Sequence, residues 1–301
     1  MSYPKITFVI TSYNYGIYLT DTLRSLCVQW TENTPFEILI IDDGSTDNSL
    51  SICEEFSRNY KYINLLTHDN HANLGLVATL ELAIKEVKTE WIAFLESDDV
   101  STNITVKNIY QAFRSNDAGL FFFDIFPLVE KEASAGWFEA YVPRIRSLMV
   151  RLGADKKAAD LGKKFVTENL IPTFSCAVVK KSLLENCSFE CPVPGWIDWF
   201  LWIQVAQRTN IRFLDKKLVY WRIHKGSQNS KKNLKNYFAD YKRFCLAVKR
   251  TLKGIDLDDK SSKILLLSLP PIILLSIRFF RMVRYSGIQK VIKQIYGRLA
   301  R

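Results

Sequence analysis

No glycine-rich phosphate loop occurs anywhere in the chain: its 12 glycines form neither GxxxxGK(S/T) nor GxGxxG. A P-loop and a dinucleotide fingerprint are therefore excluded. HExxH and GxSxG are missing as well, which removes zincin and α/β-hydrolase chemistry. The six cysteines lack framework spacing; Cys187 and Cys191 form one CxxxC with no second pair. Structural zinc is disfavoured on that pattern, and free thiols in a reducing compartment are expected. The first residues run straight into Lys5-Ile6-Thr7-Phe8-Val9-Ile10 without a signal-peptide pattern. The most apolar run, Ile264 to Ile277, is free of charge for 14 residues and interrupted by Pro270-Pro271. A bilayer needs about 20 apolar residues, so a spanning helix is disfavoured.

Acidic charge is scarce at one end of the chain. The formal net charge is +10, yet residues 1–230 carry 24 Lys and Arg against 27 Asp and Glu, while residues 231–301 carry 17 against 4. The excess belongs to a tail rich in aliphatic residues, which favours a membrane surface over nucleic acid. With 48% hydrophobic residues, the chain is expected to be globular.

What is present is an alternation of apolar runs and helical periodicity. Residues 5–10, 36–41, 62–67, 91–95 and 120–126 read as strands. Leu19, Leu23 and Leu26 recur at helical spacing, as do Leu76, Leu80, Ala83, Ile84 and Val87. Ser45 is placed as the N-cap of a helix reaching about Arg58, and a further helix is expected over about 103–115. Such alternation implies a mostly parallel sheet covered on both faces. Three strands end in polar clusters: Thr11 to Asn14, Asp42-Asp43, and Glu96-Ser97-Asp98-Asp99. Ligands bind at that edge of open α/β sheets. Without a glycine cradle, a nucleotide diphosphate there would be held through a divalent cation on carboxylates, with Glu96 to Asp99 as the candidate donors.

The runs Ile10-Thr11-Ser12-Tyr13-Asn14, Ile41-Asp42-Asp43-Gly44-Ser45-Thr46-Asp47, Asn73-Leu74-Gly75 and Leu95-Glu96-Ser97-Asp98-Asp99, in this order, resemble family 2 glycosyltransferases of the GT-A fold. The resemblance covers roughly residues 4–125. It implies inverting transfer from a nucleotide-sugar, by default a UDP-sugar, with Mn²⁺ or Mg²⁺ as cofactor. On it, Thr11 and Tyr13 line the nucleobase pocket, and Asp42 and Asp43 bond base and ribose. Asp98 meets the ribose and diphosphate, and Asp99 the metal. Glu96 stands where an Asp is usual and is a further candidate ligand.

Downstream, Thr173 to Val179 reads as a strand. Pro194-Gly195-Trp196-Ile197-Asp198-Trp199 resembles the family's ED-W-x-x-W segment, with Ile197 in place of the usual Glu. The match puts Asp198 on the catalytic general base, a role worth about 10²–10⁴-fold in rate. The same Asp has a purely structural use as a helix cap. Residues 211–223 suggest two short strands leading into Arg222-Ile223-His224-Lys225-Gly226-Ser227, which resembles the family's R-x-H-x-G-S segment. There Arg222 would contact the diphosphate and His224 the diphosphate or the metal.

The expected organisation is a GT-A catalytic domain over 1–230, with a donor half to about 125 and an acceptor half from 126. A basic, partly amphipathic helical extension follows over 231–301. The extension is expected to touch a membrane peripherally, or else to pack on the catalytic domain or a second subunit. The acceptor would be a glycan or lipid-linked hydroxyl in surface polysaccharide or glycolipid synthesis at the cytoplasmic face, with no nucleic-acid partner. The alternatives are a sugar nucleotidyltransferase and a non-catalytic membrane-associated scaffold of the same fold.

Overall fold

The computed structural model describes residues 5–114, 118–131, 133, 142–143, 145–147, 149, 155–156, 164–166, 168–226 and 234–253. The chain begins with β1 (Ile6–Ser12), α1 (Gly16–Cys27), β2 (Glu37–Asp42), α2 (Ser49–Asn59), β3 (Ile63–Thr67), α3 (Leu76–Glu86) and β4 (Trp91–Phe94). These strands lie side by side in the order β3-β2-β1-β4, all parallel. Helices on both faces bury both sides of the strands, so β2 and β4 need continuous apolar runs rather than alternation. Ile38, Leu39, Ile40 and Ile41 are all buried, as are Trp91 through Leu95. Leu19, Leu23 and Leu26 turn the apolar stripe of α1 onto this sheet at zero exposure.

The second half extends the sheet with antiparallel pairings. After β5 (Val100–Ser101) and α4 (Thr105–Phe113) come β6 (Ala118–Val129), β7 (Asp155–Lys156) and a 3₁₀ turn at Phe174–Cys176. Then follow β8 (Ala177–Lys180), α5 (Lys181–Glu185), α6 (Ile197–Val205), β9 (Asn210–Ile223) and α7 (Leu234–Lys253). β8 inserts antiparallel between β4 and β6, and β9 runs parallel to β6 along its length. β5 and β7 add antiparallel to β9. The architecture is a GT-A-type mixed α/β sheet flanked by helices.

Three local expectations change. The helix expected from Ser45 begins at Ser49, because the Ser45 hydroxyl donates to Asp42 instead of capping. The segment 173–179 is a 3₁₀ turn before it becomes strand. Residues 211–223 lie within one strand, kept continuous by pairing with β6 through register shifts around Asp124.

α6 is apolar around its whole circumference and is correspondingly buried. Trp199 and Trp202 are at 2% and 0% exposure, so these indoles are core residues. α7 supplies the cover: Phe244 stacks on Trp199 at 4.7 Å between ring centroids and meets Trp196 edge-on at 5.4 Å. The beginning of the basic extension is therefore packed on the catalytic domain. Among the described residues no helix is long and apolar enough to cross a membrane. The Ile264–Ile277 run and the basic segment after it lie outside the described residues.

Candidate active site at the carboxyl edge of the sheet

Parallel packing brings the ends of β1, β2 and β4 to one edge. There the loops after β1 and β2 are tied together by a residue the motif reading did not single out. Asn14, at φ 57°, accepts through Oδ1 from the backbone N–H of Thr46 (2.7 Å) and Asp47 (3.2 Å), while its own N–H donates to Ser45 Oγ (3.0 Å). Thr11 is half-buried, and Tyr13 stands 45% exposed at the rim.

Both carboxylates after β2 are engaged within the protein. Asp42, fully buried, accepts from Ser45 N (2.9 Å) and Ser45 Oγ (2.5 Å). Asp43 accepts from Leu74 N (2.8 Å) and Gly75 N (3.0 Å), which draws the Asn73-Leu74-Gly75 loop against the strand end. Gly44 is required between them. Its φ is +73°, and a Cβ there would lie 2.7 Å from Asn73 N and 2.8 Å from His71 O. Two histidines close this corner: His68 Nε2 is 3.4 Å from Asp43, and His71 Nε2 is 3.6 Å from Asp42.

The three acids after β4 have different surroundings. Asp99, expected as the metal ligand, is at 0% exposure, and both its oxygens have partners. Oδ2 accepts from Ser175 Oγ (2.5 Å) and Oδ1 from the backbone N–H of Arg222 (2.9 Å). It fastens the 3₁₀ turn and β9 to the strand end. Asp98 keeps 15% of its side chain exposed and accepts from His224 Nε2 at 3.0 Å. Glu96 accepts from the Thr173 hydroxyl. Burial, followed by the charges of Asp98 and Asp198, raises its pKa to about 8. Burial and the same like-charge crowding push Asp99 well above the usual carboxylate range. The Tyr15 phenol is pushed far up as well, by burial and then by Asp98 and Glu96.

The β9 end is more structural than its motif implied. The Arg222 guanidinium donates through Nε to the Asp98 carbonyl (2.8 Å) and lies over the Tyr18 ring at 4.6 Å. Asp21 (3.5 Å) and Glu130 (3.8 Å) flank it. Its charge is thus held between α1 and the acidic turn. His224 is buried against Tyr18 and Tyr15, with ring centroids 4.7 and 5.7 Å away. Its Nδ1 accepts from Gly226 N (3.2 Å), while its Nε2 meets Asp98 Oδ2. His224 thus stands directly beside Asp98.

Asp198 lies in the first turn of α6, half-buried, and accepts from Asn169 Nδ2 at 2.8 Å. Asn169 belongs to the segment whose Thr173 and Ser175 donate to Glu96 and Asp99. Oxygen donors in a crowded anionic turn fit a hard divalent cation. Among the described residues no group of three or more His, Cys, Asp or Glu side chains could hold a metal on its own. A cation at Asp98 would therefore complete its shell from substrate phosphates, as Mg²⁺ sites commonly do.

Residues 7–187 match the model of the glycosyl transferase family 2. The glycosyltransferase GlyG of Streptococcus pneumoniae is 29% identical over 190 residues, 62% of this chain and 60% of that protein. The poly(ribitol-phosphate) beta-N-acetylglucosaminyltransferase TarS of Staphylococcus aureus is 32% identical over 106 residues, 35% of this chain and 18% of that protein. The chain thus spans less than two thirds of either relative. In three dimensions, the crystal structure of S. aureus TarS 1–349 in complex with UDP-GlcNAc matches with a TM-score of 0.64 at 18% identity, over 87% of this chain and 70% of that one. The mannosyltransferase PcManGT of Pyrobaculum calidifontis, in complex with GDP-Man and Mn²⁺, matches with a TM-score of 0.54 at 14% identity, over 99% of this chain and 88% of that one. At these identities the structural matches establish the fold. With a family match over more than half its length and the acidic edge built as described, this chain belongs to the glycosyl transferase family 2.

Proposed function

We propose that the protein transfers a sugar from a UDP-sugar to a hydroxyl of a glycan or lipid-linked acceptor, with inversion at the anomeric carbon. The observation that carries this reading is Asp198: a carboxylate at the start of α6, hydrogen-bonded by Asn169 on the same segment whose Thr173 and Ser175 donate to Glu96 and Asp99. The acceptor oxygen attacks the anomeric carbon as Asp198 removes its proton, and the bond to the UDP oxygen breaks on the opposite face. Thr11 and Tyr13 take the nucleobase side. Asp42 and Asp43 shape the base and ribose pocket through the loops they hold. Asp98, oriented by His224, is the residue that would hold Mn²⁺ or Mg²⁺, with Glu96 and Asp99 behind it. A divalent cation held there would supply positive charge to offset that of the leaving diphosphate.

UDP-GlcNAc is the first donor to test, because a structure of similar fold binds it. A polyol-phosphate or related surface glycan is the corresponding acceptor class, from the printed activity of TarS. The basic excess after residue 231 supports work at the cytoplasmic face of a membrane, where lipid-linked acceptors reside. The test is nucleotide release from a panel of UDP-, GDP- and TDP-sugars with Mn²⁺ or Mg²⁺, water serving as a slow acceptor. Release from one UDP-sugar supports the reading. No turnover and no nucleotide binding across the panel would leave a non-catalytic scaffold.

A further inference from the structure

One short segment serves three of the acids gathered at this edge. Asn169 donates to Asp198 (2.8 Å), Thr173 to Glu96, and Ser175 to Asp99 (2.5 Å). Ser175 Oγ also accepts from the backbone N–H of Glu96 (2.8 Å). The residues between these donors anchor the segment in the core: Leu170, Ile171 and Cys176 are at zero exposure and Phe174 at 5%. The polar side chains are thereby fixed against the end of β4 on one side and the start of α6 on the other.

The Asn169 amide is determined at both ends. Its Oδ1 accepts from the backbone N–H of Ile171 (3.2 Å), which leaves the NH₂ group to point at Asp198 Oδ2. An amide turned the other way would set a carbonyl oxygen against a carboxylate and an NH₂ against a backbone N–H. Asp198 sits one residue into α6, where a carboxylate has rotameric freedom unless something holds it. We infer that Asn169 is a positioning residue for the general base: it fixes the rotamer of Asp198 and, through residues 169–175, its spacing from the carboxylates that surround the donor diphosphate. This rests on the assignment of Asp198 as the base.

Asn169→Ala and Asn169→Asp test it together. The Asp variant keeps an acceptor for the Ile171 N–H and so preserves the turn, but it replaces the donor with an oxygen facing Asp198. With UDP-GlcNAc, or whichever UDP-sugar the panel identifies, kcat for UDP release should fall about tenfold to a hundredfold in Asn169→Ala, the range for losing a hydrogen bond to a charged group. It should fall further in Asn169→Asp, while donor KM and UDP affinity stay within about twofold. In the Asp198→Asn background, Asn169→Ala should add nothing, since the two residues act as one unit. Crystal structures give a readout independent of turnover: Asp198 should leave its wild-type rotamer in both variants. If Asn169→Asp keeps wild-type kcat, or Asp198 keeps its rotamer in it, the inference is overturned. If Asp198→Asn retains turnover, the failure lies with the base assignment instead. Should Asn169→Ala not fold, Asn169→Asp decides alone.

Discussion

Replacing Glu96 by Gln removes one ionisable group while keeping an oxygen to accept from Thr173. The folded-state pKa of Glu96 is raised from 4.5 to about 8. Between those values the folded protein holds a proton that the unfolded chain has released, so stability is highest below the unfolded value and falls as pH rises through the folded one. One proton costs about 1.4 kcal/mol for each pH unit inside that window. The full interval from 4.5 to about 8 amounts to at most about 5 kcal/mol. Glu96 keeps part of its surface in water, which screens the charge and makes this a ceiling. Between about pH 5.5 and about pH 7.5 the wild type should lose up to about 2–3 kcal/mol relative to Glu96→Gln. Asp99 is shifted in the same direction, partly by Glu96, so the substitution also removes part of its slope. The assay is urea unfolding of both proteins at several pH values with EDTA present, so that no cation compensates the carboxylates. Parallel stability–pH curves for the two proteins would refute the view that burial and like-charge crowding raise Glu96.

Gly44→Ala should destabilise the fold by about 1–2 kcal/mol from its left-handed backbone alone. Contacts under 3 Å with Asn73 N and His71 O add to this, and a thermal scan should show a lowered Tm with weakened UDP binding; an unchanged Tm would contradict the close loop packing. Asp98→Asn should lose the Mn²⁺-dependent part of UDP affinity in titration calorimetry, whereas equal affinities with Mn²⁺ and with EDTA in the wild type would place the cation elsewhere. Arg222→Gln should lower Tm more than it raises the KM for donor, because the guanidinium is bound to the Asp98 carbonyl and Tyr18; a large rise in KM at unchanged Tm would restore a direct diphosphate contact.

Much of the donor half was legible because its signals are local. Continuous apolar runs such as Phe36 to Ile41 end in acids, and parallel strands carry those ends to one edge. The division of labour among the acids was not legible, because it is set by partners far along the chain. Asp99 is occupied by Ser175 and Arg222, and Asp198 is held by Asn169. No periodicity marks Asn169, Thr173 or Ser175, whose meaning arises only when β8 inserts between β4 and β6. Ser45 illustrates the competition directly. Its identity suits an N-cap, but Asp42, three residues earlier and fully buried, needs the hydroxyl more. His224 likewise meets Asp98 only through the fold, 126 positions along the chain.

The central claim, that this edge of the sheet transfers a sugar with Asp198 as the base, is tested most directly by Asp198→Asn. Transfer or UDP release from the UDP-sugar should fall about 10²–10⁴-fold, while calorimetry with UDP and Mn²⁺ shows wild-type affinity. Near-normal turnover in that variant would contradict the account.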